Sequence, residues 1–230
     1  MMNRITKNIK NKLAGELAKR KIYLTSSLTF IDRERQVDTD YLDYIRQAAL
    51  ELISHEIYTN KVEGNTAELG VYKGQFAKYI NKFFPDRSLY LFDTFEGFSG
   101  EDISYEVSQN FSSGIQNFSD TSINYVLSQM PFPSRCIIRQ GFFPSTAEGL
   151  EDRFAFVSLD SDLYKPIYSG LEYFYPRLTA GGYIFVHDFN NDAYKGVRQA
   201  VTEYCSANGI AYAPIPDSGG TVVIGKPLLI

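Results

Sequence analysis

Two points in the sequence concentrate the charge that chemistry needs. One is Leu159-Asp160-Ser161-Asp162; the other is Val186-His187-Asp188. Each acid follows an apolar run of the kind found in buried parallel strands. Ligands of open α/β sheets bind outside the carboxyl ends of the strands, so Asp160, Asp162, His187 and Asp188 are candidates to converge. Carboxylates brought together repel unless a cation lies between them. Several oxygens in one place suit Mg²⁺ or Ca²⁺, and a histidine among them suits Mn²⁺, Fe²⁺ or Zn²⁺ better than oxygens alone would. Such a cation lowers the pKa of a hydroxyl and fixes its direction, while a nearby His or Asp takes the proton. The competing readings are a hydrogen-bonded strand-end histidine and two aspartates that cap the helix beginning near Lys165.

A second constellation lies upstream. Thr66 to Leu69 reads as a short strand ending on Gly70, with Gly74 four residues later and a helix from Gln75 to Phe83. Glycine lets the backbone approach a ligand closely, and the helix behind it aims free N–H groups at the same place. The next strand, Ser88 to Asp93, ends on an acid about 20 residues after the turn, the position from which ribose hydroxyls are bound. The turn reads E-L-G-x-x-x-G, which is not the dinucleotide fingerprint. Glu68 beside Gly70 is poor company for a pyrophosphate and good company for a ligand carrying an ammonium and a sulfonium. The residues therefore favour S-adenosylmethionine over NAD, against the alternative of an ordinary tight turn with Glu68 solvated.

The elements that must position these groups alternate. A helix from Asp40, capped by that residue, runs to about Tyr58 with Ile45, Ala48, Ala49, Leu52 and Ile53 as its apolar face. Helices are expected over Asp120–Met130, Lys165–Leu178 and Tyr194–Ala207, the second stopped by Ala180-Gly181-Gly182. Strands are expected over Arg135–Arg139, Phe154–Asp160, Tyr183–Asp188, Ile210–Ile215 and Thr221–Ile224. The last two enclose a Pro216–Gly220 turn and predict a closing hairpin with one antiparallel strand. The pattern is that of a doubly wound, mostly parallel α/β sheet. Ser99 to Phe118, rich in Ser, Gly, Asn and Asp, reads as a lid or substrate loop, or else as a surface insertion.

Bulk properties narrow the class. At 230 residues, 44% hydrophobic and 22% charged, the chain fits one globular domain with a full core, 40–230, behind an N-terminal helical and irregular extension, 1–39. A net charge of −4 argues against a nucleic-acid partner. No apolar run reaches membrane-spanning length. Cys136 and Cys205 lie in no metal-binding or redox spacing and read as reduced thiols of a cytoplasmic protein. The basic segment 1–22 repeats Ile5, Ile9, Leu13 and Leu17 on one helical face; packing on its own domain or on a second subunit is favoured over a membrane surface, because that face lacks aromatic anchors.

Taken together, five motifs resemble the macrocin O-methyltransferase group, the TylF/MycF-like class I SAM-dependent methyltransferases. They are Ala67-Glu68-Leu69-Gly70-Val71-Tyr72-Lys73-Gly74, Leu91-Phe92-Asp93-Thr94-Phe95-Glu96-Gly97-Phe98, Gly141-Phe142-Phe143-Pro144-Ser145-Thr146, Leu159-Asp160-Ser161-Asp162-Leu163-Tyr164, and Tyr175-Pro176-Arg177-Leu178 followed by Gly181-Gly182-Tyr183. The resemblance spans about Asp40 to Ile224. It implies a seven-stranded SAM-binding sheet and Mg²⁺-dependent O-methylation of a sugar hydroxyl or similar alcohol in a natural product or glycan. By that likeness Glu68 and Gly70 face the methionine end of the cofactor and Asp93 its ribose, within a cofactor set of Glu68, Gly70, Tyr72, Gly74, Asp93, Thr94, Gly141 and Asp160. Asp160 and Asp188 are implied metal ligands. Where characterised members read D-D this chain reads His187-Asp188, which leaves His187 as third ligand, as base beside Asp160, or as the mark of a subgroup with weaker metal dependence. The resemblance also implies a homo-oligomer. The readings set against it are an NAD- or nucleotide-sugar-dependent enzyme and a non-catalytic SAM-binding module.

Overall fold

The computed structural model describes residues 12, 13, 15–17, 19, 20 and 43–228. The chain forms two compact units, Met1–Gln36 and Val37–Ile230. In the first unit the described residues form helical turns, with Leu13 exposed, Leu17 half-buried and Lys19 paired to Glu16 across the surface. Ile5, Ile9, the irregular stretch 23–41 and the Asp40 cap lie outside the described residues.

The second unit is one seven-stranded sheet. Its strands are β1 (Asn65–Leu69), β2 (Leu89–Asp93), β3 (Cys136–Gln140), β4 (Phe154–Leu159), β5 (Leu178–Val186), β6 (Ala213–Pro214) and β7 (Val222–Gly225), in the order β3-β2-β1-β4-β5-β7-β6. The first five are parallel, and β7 runs antiparallel to both β5 and β6. The helices are α1 (Tyr44–Thr59), α2 (Ala77–Phe83), α3 (Gly100–Ser108), α4 (Ile123–Gln129), α5 (Tyr164–Arg177) and α6 (Lys195–Asn208). Strand alternation sorts the core into two layers. Tyr90, Phe92, Val157, Leu159, Ile184 and Val186 face α5 and α6, while Leu89, Leu91, Phe156 and Phe185 face α1, α2 and α4. All six residues of β4 are buried, as a central strand covered on both faces requires.

Four expectations are corrected. The Ser99–Phe118 stretch contains helix α3, because Ser99 caps it by accepting from Asp102 N–H and Glu101 and Asp102 sit in its first, dipole-positive turn. The Gly181-Gly182 pair does not stop α5, which ends at Arg177; it lies within β5, beside a register shift against β4. A Cβ on Gly182 would stand 2.8 Å from the Ala155 carbonyl, so the close strand contact explains the glycine. The Ile210–Ile215 strand shrinks to Ala213–Pro214. Finally, α1 begins after Asp43, which caps it, and buries Arg46, Gln47, Leu50, Glu51, Ser54 and Ile57, leaving Ile45 exposed. The apolar stripe read from the sequence is only partly covered, because Arg46 in the polar stripe beside it is held by Asp160 and Ser158 at the sheet.

Register sets the site. Leu69 is level with Phe92 and with Leu159, and Leu159 with Val186. The next row is therefore Asp93, Gly70, Asp160 and His187, and backbone bonds carry the ladder one step further: Gly70 N–H to Phe92 O, Asp160 N–H to Leu69 O, His187 N–H to Leu159 O. Strand order reverses between β1 and β4, so this row opens at the crevice where such sheets bind ligands.

Candidate active site

A cavity of about 650 Å³ opens over that row. Its floor is the β1 turn. Gly70 has φ +85°, and a Cβ there would lie 2.1 Å from the Asp160 carbonyl, so only glycine lets β1 and β4 meet at this point. Beneath the turn Glu68 is 1% exposed and its Oε2 has no hydrogen-bond partner. Burial first, and then the Asp160 charge, push its carboxyl well above the usual range. A buried carboxyl oxygen without a partner, lining a cavity, is costly unless a donor completes it. The site thus fits the ammonium-bearing cofactor implied above.

Asp93 closes the turn from β2. One carboxylate oxygen accepts from Val71 N–H at 2.6 Å and Tyr72 N–H at 2.9 Å, and the other from Phe95 N–H at 2.7 Å. The acid thus fixes the loop that faces the cavity, which its place at a strand tip did not reveal. Tyr72, Thr94, Gly141 and the Phe92, Phe98, Phe118, Phe142 and Phe143 rings also line the cavity. Gly74 stands apart from the other residues named for the cofactor: its Cα faces α4, and a Cβ would meet Met130 and Val126 at 2.9 and 3.1 Å.

The acids of β4 and β5 converge at the other end. His187 Nδ1 lies 3.1 Å from Asp160 Oδ1 and 3.0 Å from Asp188 Oδ2. Its Nε2 is 2.8 Å from the Ser218 carbonyl, which can only accept. Whatever His187 does toward the cavity it therefore does through Nδ1. Asp160, His187 and Asp188 each offer a ligand atom within 4.8 Å of the others, a spacing that fits a divalent cation. Neither Asp160 nor Asp162 caps α5. Its first turn is met instead by Glu106 of α3, whose Oε1 accepts Tyr164 N–H at 2.7 Å.

The profile of the macrocin O-methyltransferase (TylF) family matches residues 42–223. The chain belongs to that family. An 87-residue stretch is 37% identical to the 8-demethyl-8-(2,3-dimethoxy-alpha-L-rhamnosyl)-tetracenomycin-C 4'-O-methyltransferase of Streptomyces olivaceus, and it spans 37% of this chain and about a third (32%) of that protein. Among solved structures, the O-methyltransferase NovP superposes with a TM-score of 0.64 at 21% identity, covering 80% of each chain. The calicheamicin methyltransferase CalS11 gives 0.63 at 20% identity, covering 78% of each. These two likenesses show that the chain shares the fold of those two methyltransferases.

In this TylF-family chain one residue of the site escaped the sequence reading. Arg46 of α1 is 3% exposed; its Nη1 donates to Asp160 Oδ2 at 2.9 Å, its Nη2 to Ser158 Oγ at 3.2 Å, and its guanidinium lies 3.7 Å from the Phe76 ring centroid. The signal was an arginine, a glutamine and a glutamate spaced at 46, 47 and 51 along an otherwise apolar helix. Electrostatics follow from this packing. Burial would raise the Asp160 pKa, but Arg46 and His187 outweigh it and hold the carboxyl well below the usual range. Burial would likewise lower His187, yet Asp160 and Asp188 push it up to about 10. Burial, the Asp160 charge and the contact with Asp188 raise the Asp162 pKa well above that of an ordinary carboxyl.

Proposed function

We propose that this chain transfers the methyl group of S-adenosylmethionine to a hydroxyl of a sugar or similar small acceptor in natural-product or glycan biosynthesis. The observation that carries the reading is Glu68, buried, with its Oε2 lacking a hydrogen-bond partner, lining the cavity beside the Gly70 turn. A carboxylate there binds the ammonium of the cofactor and repels a pyrophosphate. The Streptomyces relative is named as a 4'-O-methyltransferase of a rhamnosyl-tetracenomycin and CalS11 as a TDP-rhamnose 3'-O-methyltransferase, and these names support a sugar as the acceptor here.

Each part of the site has a task in that reaction. The Gly70–Tyr72 turn, tied down by Asp93, would hold the cofactor, which supplies the methyl group. The Phe92, Phe98, Phe118 and Phe143 walls exclude water, which would otherwise compete as the acceptor. Asp160, kept ionised by Arg46, would accept a hydrogen bond from the acceptor hydroxyl, orient its oxygen lone pair, and take its proton as the carbon–oxygen bond forms and the methyl–sulfonium bond breaks. Asp160 and Asp188 would also hold a divalent cation, which when bound lowers the pKa of that hydroxyl. His187 keeps the two carboxylates together from between them.

Calorimetric titration with SAM, with and without Mg²⁺ and after EDTA, tests the reading. Binding in the micromolar range is expected. Absence of SAM binding, with NAD or a nucleotide sugar bound in its place, would overturn it.

A further inference from the structure

Three side chains in the acid cluster share one arrangement. Each commits its outer atom to a fixed partner and leaves its inner atom to the centre. Asp160 gives Oδ2 to Arg46 Nη1 at 2.9 Å and points Oδ1 inward. Asp188 accepts Asn191 Nδ2 on Oδ1 at 2.7 Å and points Oδ2 inward. His187 donates Nε2–H to the Ser218 carbonyl at 2.8 Å and points Nδ1 inward. Outer partners of this kind, a carbonyl behind a histidine and donors behind carboxylates, orient side chains that ligate metals.

We propose, on the methyltransferase reading above, that His187 Nδ1 is a protein ligand of the divalent ion at this site. The ligand set is then one imidazole nitrogen and two carboxylate oxygens, and it selects a first-row transition ion such as Mn²⁺, Fe²⁺ or Co²⁺ over Mg²⁺ and Ca²⁺. Two further observations carry the assignment. The inner atoms are 3.0 and 3.1 Å apart from nitrogen to each oxygen, and neighbouring donors around a six-coordinate ion with bonds of about 2.1 Å stand about 3 Å apart. The ring is also held in place from the far side. Gly219, with φ +79°, lays its backbone against it, and a Cβ there would lie 3.1 Å from His187 Cε1, 3.3 Å from Nε2 and 2.6 Å from Asp188 Oδ1. The ring therefore cannot turn Nε2 inward without losing the Ser218 carbonyl and displacing the 217–220 turn. An imidazole nitrogen discriminates against Mg²⁺ and Ca²⁺, which prefer all-oxygen sets. When no ion is bound, a proton on Nδ1 occupies the same place between the two carboxylates.

The test is pulsed electron paramagnetic resonance of the purified full chain loaded with Mn²⁺, with calorimetric competition between Mn²⁺ and Mg²⁺. Histidine nitrogen modulation on the Mn²⁺ signal is expected in the wild type and its loss in His187→Asp. The Mn²⁺ over Mg²⁺ preference is expected to fall in that variant by about 10-fold or more, because an all-oxygen set restores Mg²⁺ binding. Bound Mn²⁺ without nitrogen modulation in the wild type would overturn the proposal whether or not the variant folds. So would an unchanged preference in a folded His187→Asp. SAM calorimetry separates the two readings. If SAM binds and no ion does, the ligand assignment falls and the methyltransferase reading stands. If SAM does not bind while Mn²⁺ shows nitrogen coupling, the reverse holds.

Discussion

Replacing Glu68 by glutamine should stabilise the protein without cofactor and weaken its hold on SAM. Glu68 is 1% exposed and one of its oxygens has no partner. Burial and the neighbouring Asp160 charge raise its pKa well above the ordinary value of 4.5. An acid raised in the folded state binds protons more readily there than in the unfolded chain, so stability falls as pH rises above that ordinary value. Glutamine removes that penalty. An unsatisfied buried group costs about 1–3 kcal/mol, and a gain of about 1–2 kcal/mol is expected at neutral pH. For a domain of this size that corresponds to a rise of about 2–8 °C in melting temperature. The cofactor effect has the opposite sign. A charged hydrogen bond to the ligand ammonium contributes about 1.5–3 kcal/mol, so SAM affinity should drop by about 10- to 150-fold. Thermal melts with and without SAM, at pH 5 and pH 7.5, read both effects at once: the variant should melt higher alone, gain less from SAM and show a flatter pH dependence. A variant that melts lower without cofactor and binds SAM as the wild type does would refute the reasoning, and Glu68 would then be a purely structural acid.

Two further substitutions probe the frame. Asp93→Asn leaves one accepting oxygen where the carboxylate serves three backbone N–H groups, so urea unfolding should show a loss of about 1–3 kcal/mol, with weaker SAM binding from a loosened 70–72 turn. Glu106→Gln keeps an acceptor for Tyr164 N–H and removes a charge whose pKa burial has raised. The raised value again means stability is lost as pH climbs above the ordinary glutamate range, so this variant should match or exceed the wild type at pH 7, and the gap should close toward pH 4.5. Glu106→Ala, which removes the acceptor altogether, should cost about 1–3 kcal/mol at both pH values; equal urea midpoints for the alanine and glutamine variants would show that the capping bond is worth nothing.

Much of the site was legible along the chain because the chemistry sits at strand tips. A buried strand is a run of apolar residues, and the first polar residue after it marks the sheet edge. Leu69-Gly70, Phe92-Asp93, Leu159-Asp160 and Val186-His187 announce four tips of one sheet in this way, and parallel register makes them neighbours. The glycine turn and the acid beside it followed from the same local pattern.

What stayed hidden were directions and distant partners. Arg46 reaches Asp160 across 114 residues of sequence, and a helix with two plausible buried stripes does not reveal which one the sheet edge will hold. Ser99 to Phe118 looked like loop because its polar residues serve turns and helix caps alike; Ser99 as cap, and Glu106 buried against α5, made it a helix. Nor could the sequence orient the His187 ring, which is set by a carbonyl 31 residues away and by the glycine packed upon it. The sequence by itself determined which groups stand at the carboxyl edge of the sheet, because hydrophobic burial and strand geometry are local. Only the tertiary structure decided which atom each group turns inward, because that depends on hydrogen-bond partners supplied by other elements.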